Sequence, residues 1–407
     1  MEKSKINKIL DDFIDGIDSL LDISSPIMIM AGKMHMEFSG QHMALLQKHG
    51  KLIKDEGKTK QYSVSINNFK DLERTRKKVE KVAKSRELLP KTLLISFVII
   101  FDSLLRNLIK ELYEIKPELI NQSKRALTFS DISKFGDVDE VRRHIIDEEI
   151  DDLLRGSHYD LIESLEKIFS VQLKPEEKLW QRFIELTERR NIFVHCNGVV
   201  SSQYIKICRK HNSLPDGISI GDQLTADRKY IYDCYSCIYE IGVMVTHILW
   251  RKFAKNELED SDSSLNTIGY NMLVDKNYDM AIKILLVAKR MPKYSSDSLR
   301  RMHIINLSIA YKLSGKNSEF DATISNEDWS SCSDDFKLCV NALKGKYAEA
   351  VNLMKKLGKD SDIVPERAYI EWPAFEEFRK TREFSDAFKK IFGHPPEKFG
   401  DYEIVPL

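Results

Sequence analysis

Apolar residues recur with a helical period along most of the chain. Between residues 3 and 22, Ile6, Ile9, Leu10, Phe13, Ile17, Leu20 and Leu21 form one stripe with a 3.6-residue repeat, which predicts an amphipathic helix. Residues 70–88 (KDLERTRKKVEKVAKSREL) set opposite charges four apart, Glu73 with Lys77 and Glu80 with Lys84, and so predict a solvated helix. Pro90 is expected to break the chain at the start of the next helix, about 91–116, whose apolar part from Leu93 to Leu105 reads as buried core. Asp137 or Asp139 caps a helix to about Leu154, in which the acidic run DEEIDD (147–152) reads as a solvated face. A short helix follows over 158–170, and Pro175, Glu176 and Glu177 open the helix that carries EKLWQRFIELTERRNIFVHC. Then come a short helix at 202–210, the loop-like HNSLPDGISIGDQ, and one long helix over 225–257.

The polar stretch KNELEDSDSSLN (255–266), with Leu258 and Leu265 as its apolar anchors, is the candidate domain boundary. Beyond it the texture changes. IGYNMLVDKNYDMAIKILLVAKR and LCVNALKGKYAEAVNLMKKLG share one order: apolar helix, polar turn, Tyr, two residues, Ala, apolar helix. Tyr278 aligns with Tyr347 and Ala281 with Ala350, each 69 residues apart, close to twice a period of about 34 residues. INLSIAYKLSGKN places another helix end between them, at Gly315 to Asn317. These are marks of helix–turn–helix repeats that resemble tetratricopeptide repeats, with small Ala at the helix crossing and Tyr beside it. The ending HPPEKFGDYEIVPL reads as an extended tail. The expected architecture is therefore all-α: an N-terminal helical region (1–89), a helical bundle (90–257), and a short α-solenoid of helix–turn–helix repeats (258–407).

Composition agrees with long helices. Only 17 glycines and 11 prolines occur in 407 residues, too few for a sheet-rich fold with many tight turns. Lys plus Arg and Asp plus Glu both number 63, so any nucleic acid must be held by a local patch and not by the whole surface. No run reaches the roughly 18–20 consecutive apolar residues of a membrane span, and the N-terminus lacks a signal-peptide apolar region, so no membrane association and a cytoplasmic location are expected. Six scattered cysteines suit a reducing compartment. Cys234 and Cys237 have half-zinc-site spacing, but no second pair follows, and both read as small core residues.

One segment carries candidate chemistry. In TERRNIFVHCNGVV, Asn191 and His195 are four apart on one helix face, and Glu188 joins them. Arg190 lies about 140° round from His195, with Arg189 next to it. Such a set suits cleavage of a phosphodiester by a neighbouring 2′-hydroxyl. His195 can shuttle the proton, since imidazole titrates near neutrality. The guanidinium of Arg190, with Arg189 in support, can hold the charge of the phosphorane. Asn191 can orient either by a hydrogen bond. Neither a metal nor a cofactor is called for. A capped helix end with a satisfied core histidine fits the same residues.

The segment resembles the defining motif of the HEPN superfamily: Arg, a polar residue that is often Asn, and a His within a short span, here Arg190, Asn191 and His195. ERRNIFVHCNGVVSSQYIKIC also looks like the motif region of bacterial HEPN proteins from conflict and defence systems, and the resemblance covers roughly 90–255. It implies a helical bundle that forms a homodimer, with two motifs in one cleft, cutting RNA without metal to leave a 2′,3′-cyclic phosphate and a 5′-hydroxyl. SFVIIFDSLLRNLIKELY resembles an earlier family helix, whose Asp102 and Arg106 either face the site or pair with each other. The expected function is a toxin or effector endoribonuclease of antiviral defence, with a protein partner or regulator at the repeats. Two other readings stay open: a non-catalytic dimerisation scaffold, and an RNA-binding adaptor whose Arg190, Lys206 and Arg209 hold phosphate. Other chemistries lack their residues, since there is neither a GxxxxGK[ST] nor a GxSxG segment. His35, His42 and His49 sit seven apart, too far along a helix for one ion, and read as a partner-facing or weakly basic stripe among methionines.

Overall fold

The computed structural model describes residues 4–55, 60–122, 125, 127–291 and 293–398. Among them it is all-α apart from one two-stranded sheet. The helices are α1 (Lys5–His49), α2 (Ile66–Ile115), α3 (Phe129–Ile132), α4 (Val138–Arg155), α5 (His158–Phe169), α6 (Glu177–His195), α7 (Ser202–Lys210) and α8 (Arg228–Phe253). They are followed by α9 (Leu258–Val274), α10 (Tyr278–Lys289), α11 (Asp297–Leu313), α12 (Asn317–Ser325), α13 (Asp334–Leu343), α14 (Tyr347–Leu357), α15 (Glu366–Glu371) and α16 (Arg382–Phe392). The chain forms two compact units, residues 8–242 and residues 1–7 with 243–407.

In the first unit α1 and α2 run antiparallel. A Cβ on Gly16 would meet Ile100 at 3.6 Å, Lys78 lies over Phe38, and His42 Nδ1 is 2.8 Å from Thr75 Oγ1, so positions rise along one helix as they fall along the other. At 1.5 Å per residue the two helices are roughly 67 and 75 Å long. Their outer part is an arm tipped by strands β1 (Gly50–Asp55) and β2 (Lys60–Val64), paired Gly50 to Val64 and Leu52 to Tyr62. Nothing in the sequence pattern marked these strands, because KLIKD and KQYSV are short, charged and almost wholly exposed. The arm also leaves apolar side chains outside, among them Ile23, Met30 and Met36.

Several expectations need correction. Pro90 does not start a helix; it is buried inside an unbroken α2. Its cost as an interior proline, about 3 kcal/mol, is offset by the packing of the residues that follow. Leu94, Phe97, Phe101, Leu105 and Leu108 are buried there with Phe183 and Leu186 of α6 and Tyr239 of α8. The Glu87–Lys91 ion pair spans the same turn. α2 is also long and apolar enough to cross a membrane, but half of its most apolar 18-residue window is buried inside the protein. DEEIDD is not simply solvated: Asp147 pairs with Lys110, Asp151 with Arg106, and Glu148, Glu149 and Asp152 with Arg125. His42, from the expected histidine stripe, faces α2. Asp137 caps α4 by accepting from Glu140 N, as one of the two expected candidates. Cys234 and Cys237 are buried in α8, as the sequence predicts for small core residues.

In the second unit the polar stretch 255–266, the candidate domain boundary, is folded. A 3-10 turn at Lys255–Glu257 leads into α9, with Ser261 and Asp262 buried. Polar residues can be buried here because each is partnered. Ser261 Oγ lies 2.9 Å from His247 Nδ1, and Asp262 accepts from Ser295 N (2.6 Å) and Oγ (2.8 Å) and from Arg251. The following helices form three hairpins, α9–α10, α11–α12 and α13–α14, whose turns share one hydrogen-bond pattern. Asn277 N bonds Met272 O, Lys316 N bonds Tyr311 O and Lys346 N bonds Asn341 O, each beside a left-handed residue, Lys276, Gly315 or Gly345. Ala281 and Ala350 are fully buried at the matched positions, and Tyr347 stacks on Phe378. The tail read as extended begins at His394 and includes a 3-10 turn, Pro396–Lys398; residues 399–407 lie outside the described residues.

Two buried histidines make this unit acid-sensitive. Burial, helped by Arg251, holds His247 down to about 3, and burial holds His303 down to about 4. Arg251 adds to the lowering at His303, and Asp262 opposes it. The unfolded chain takes up protons near pH 6.5, whereas the folded histidines resist until about 4, so stability is full above about 6.5 and falls as pH drops through that window. For His303 the loss reaches about 3 kcal/mol by pH 4. Urea unfolding at pH 7.5 and 4.5 should show a marked drop in midpoint, and a smaller one in His303→Leu. Equal drops would refute the assignment.

Candidate active site

The site is built where α6 ends. Cys196 N and Gly198 N both bond Ile192 O at 2.9 Å, and Asn197 (φ 50°) and Gly198 (φ 88°) turn the chain left-handed. Gly198 is required on two counts. Its φ disfavours a side chain, and a Cβ would come within 2.9 Å of Leu224 O and 2.7 Å of Gln223 Nε2. Leu224 N bonds Gly198 O and Val200 N bonds Asp222 O, so the loop after α7 clamps the turn. Ser201 then caps α7 by accepting from Tyr204 N.

This turn sets the last turns of α6 beside the start of α5 and one turn of α2, around a cavity of about 360 Å³. Its wall includes Asp102, His158, Glu188, Arg190, Asn191 and His195, with Arg155, Ser157, Ser201 and Gln203 at other points. Arg190, which the ideal helix sets off the face of Asn191 and His195, thus reaches the same cavity within a single chain. Arg190 Nη1 donates to Asn191 Oδ1 at 3.1 Å, while its Nε is buried without a partner. Asn191 Nδ2 lies 3.5 Å from Glu188 Oε1. Burial raises the Glu188 carboxyl above its ordinary pKa, against the pull of His158 and the Asn191 hydrogen bond. His195 is exposed at the mouth.

His158, which the local sequence does not mark as a site residue, is held in the cavity wall by both a hydrogen bond and ring contacts. Its Nε2 is 2.8 Å from Asp102 Oδ1, and its ring meets Phe183 edge-on at 5.9 Å, with Phe101 at 6.4 Å. The local signal was GSHYD, a glycine and serine cap that seats a histidine in the first turn of α5. What hid it was distance, since 37 residues separate it from His195 and only tertiary packing joins them.

Other expected residues lie elsewhere. Arg189 points into the core: Nε donates to Glu185 at 2.7 Å, Nη1 donates to Thr225 O at 2.9 Å, and the guanidinium covers Tyr230 at 4.1 Å. Glu185 also accepts from Tyr204 (2.7 Å) and Tyr230 (2.8 Å). Arg189 therefore holds α6 in place and is not in the cavity wall. Arg106 pairs with Asp151 of α4, neither facing the cavity nor bonding Asp102. Lys206 and Arg209 are exposed on α7 and do not line the cavity. Among the described residues no three His, Cys, Asp or Glu side chains are grouped to hold a metal ion.

No protein-family model, curated protein or solved structure matches the chain.

Proposed function

We propose that the chain is a metal-independent endoribonuclease whose reaction takes place in the cavity of Arg190, Asn191 and His195. The observation that carries this reading is the Arg190 side chain. It is held by Asn191 in a cavity shared with two histidines, with one buried N–H unpaired and available to an anion. The cavity's volume is within the range of small-molecule sites. His195 accepts the proton of the 2′-hydroxyl as its oxygen attacks the adjacent phosphorus. The guanidinium of Arg190 neutralises the phosphorane oxygens. The bond from phosphorus to the 5′-oxygen then breaks, giving a 2′,3′-cyclic phosphate and a 5′-hydroxyl, and His158, oriented by Asp102, delivers the proton to the leaving oxygen.

The HEPN resemblance supports the same reading and extends it to a homodimer, to bacterial antiviral defence and to the cytoplasm. The three matched hairpin turns support the likeness of the second unit to a short tetratricopeptide-like solenoid that takes a protein partner.

The test incubates end-labelled RNA and EDTA with the purified chain, Arg190→Ala and His195→Ala. Cleavage by the wild type alone, leaving cyclic phosphate ends, is expected. Equal cleavage by the variants, or no cleavage under any condition, overturns the assignment, and inhibition by EDTA overturns the metal-free route. RNA bound but never cut would favour the adaptor reading.

A further inference from the structure

The arm carries a charge pattern that the cavity does not use. Residues 66–88 hold eight Lys and Arg against four Asp and Glu, in a chain of zero formal net charge. Five of the cations, Lys70, Arg74, Lys77, Lys81 and Lys84, follow the spacing i, i+4, i+7, i+11, i+14 on α2. At 100° per residue they share one side of the helix, in a row about 21 Å long. All five are exposed.

A helix stabilised only by its own ion pairs would alternate signs along such a row. Here the acids are drawn to its flank. Arg76, about 120° away, pairs with both Glu73 and Glu80, and Glu87 pairs with Lys91. Within the row, Lys77 alone has an ion pair, with Glu73 at 3.6 Å. The row also lies away from α1, which α2 meets through Thr75 and Lys78.

The row is aligned with the cavity. Asp102 follows Lys84 by 18 residues of the same unbroken helix, five full turns at 3.6 residues each. It therefore lies on the same side of α2, about 27 Å further along, and Lys70 is about 48 Å from that level. We propose that this row on α2 binds the phosphate backbone of a helical RNA whose cleaved strand enters the Arg190–His195 cavity. The choice of RNA over another polyanion rests on the reaction proposed above. A regular line of phosphates matches a regular line of cations at no cost in sequence specificity. Substrates long enough to reach both places then bind more tightly than short ones.

The experiment measures binding apart from cutting. The full chain carrying His195→Ala is titrated into a fluorescent 20-base-pair RNA hairpin at several salt concentrations, beside the same chain with K70Q, R74Q, K77Q, K81Q and K84Q. A control with K355Q, K356Q, K359Q, K389Q and K390Q removes as many exposed positive charges elsewhere. Loss of the row should weaken binding at least tenfold at low salt. It should also flatten the dependence of log affinity on log salt by about three to five. The control should change little, and all three proteins should share one thermal midpoint. Equal binding by the row variant and its parent, or equal loss in the control, overturns the proposal. So does loss of binding to phosphatidylserine vesicles with RNA binding intact, which would assign the row to a membrane surface. RNA held through the row by a chain that never cuts keeps the row as an RNA-binding surface and removes both the nuclease and the entry of a cleaved strand.

Discussion

RNA cleavage is expected to fall roughly 10²- to 10⁴-fold in His195→Ala, the range for loss of a proton-transfer group. Arg190→Ala should cost roughly 10²- to 10³-fold, as for removal of a donor to developing charge, and Arg190→Lys should restore little, because an ammonium cannot supply the paired N–H groups of guanidinium. Thermal midpoints should hardly move, since His195 is exposed and Arg190 bonds only its neighbour Asn191. Arg189→Ala is the contrasting case. Arg189 anchors Glu185 and Thr225, so its removal should abolish activity by loosening the fold. Single-turnover rates and melting curves on the four variants separate the roles. A large rate loss with no stability loss in Arg189→Ala would contradict the geometry.

The second large effect concerns Glu185. This buried carboxylate accepts from Arg189, Tyr204 and Tyr230, joining α6, α7 and α8. Burial by itself lowers the Arg189 pKa, and the net direction is nonetheless upward; at neutral pH the charged partner beside it is the Glu185 carboxylate, so the cation persists inside the protein. Glu185→Leu leaves that cation uncompensated, which costs about 3–5 kcal/mol. For a unit of this size the midpoint should fall by roughly 10 °C. Glu185→Gln keeps the shape but loses the charge, and should be intermediate. Calorimetry on the pair is decisive: a midpoint unchanged in Glu185→Leu would mean the ion pair is replaceable by packing.

How far the sequence disclosed this depends on range. Helix caps and local periods were readable, as at Asp137 and in the repeat turns at Lys276 and Gly345. Asn191 and His195 shared a face by spacing alone. Tertiary facts were not readable. Arg189 and Arg190 are identical in type and adjacent, and nothing local says which enters the core. The polarity of 255–266 suggested solvent, because a sequence does not disclose that Asp262 finds Ser295 and Arg251. The usual local effect of a proline predicts a break at Pro90, and the packing of α2 overrides it.

α2 is one helix with two regimes of support. Between 93 and 112 its apolar face is enclosed, whereas between 66 and 88 Leu72 alone is buried. The backbone hydrogen bonds are the same kind throughout, but their protection against solvent exchange follows the packing around them. The outer turns can open locally while the inner turns open only with the whole unit. The arm can therefore reshape itself against a bound molecule, and the turn that holds Asp102 stays fixed.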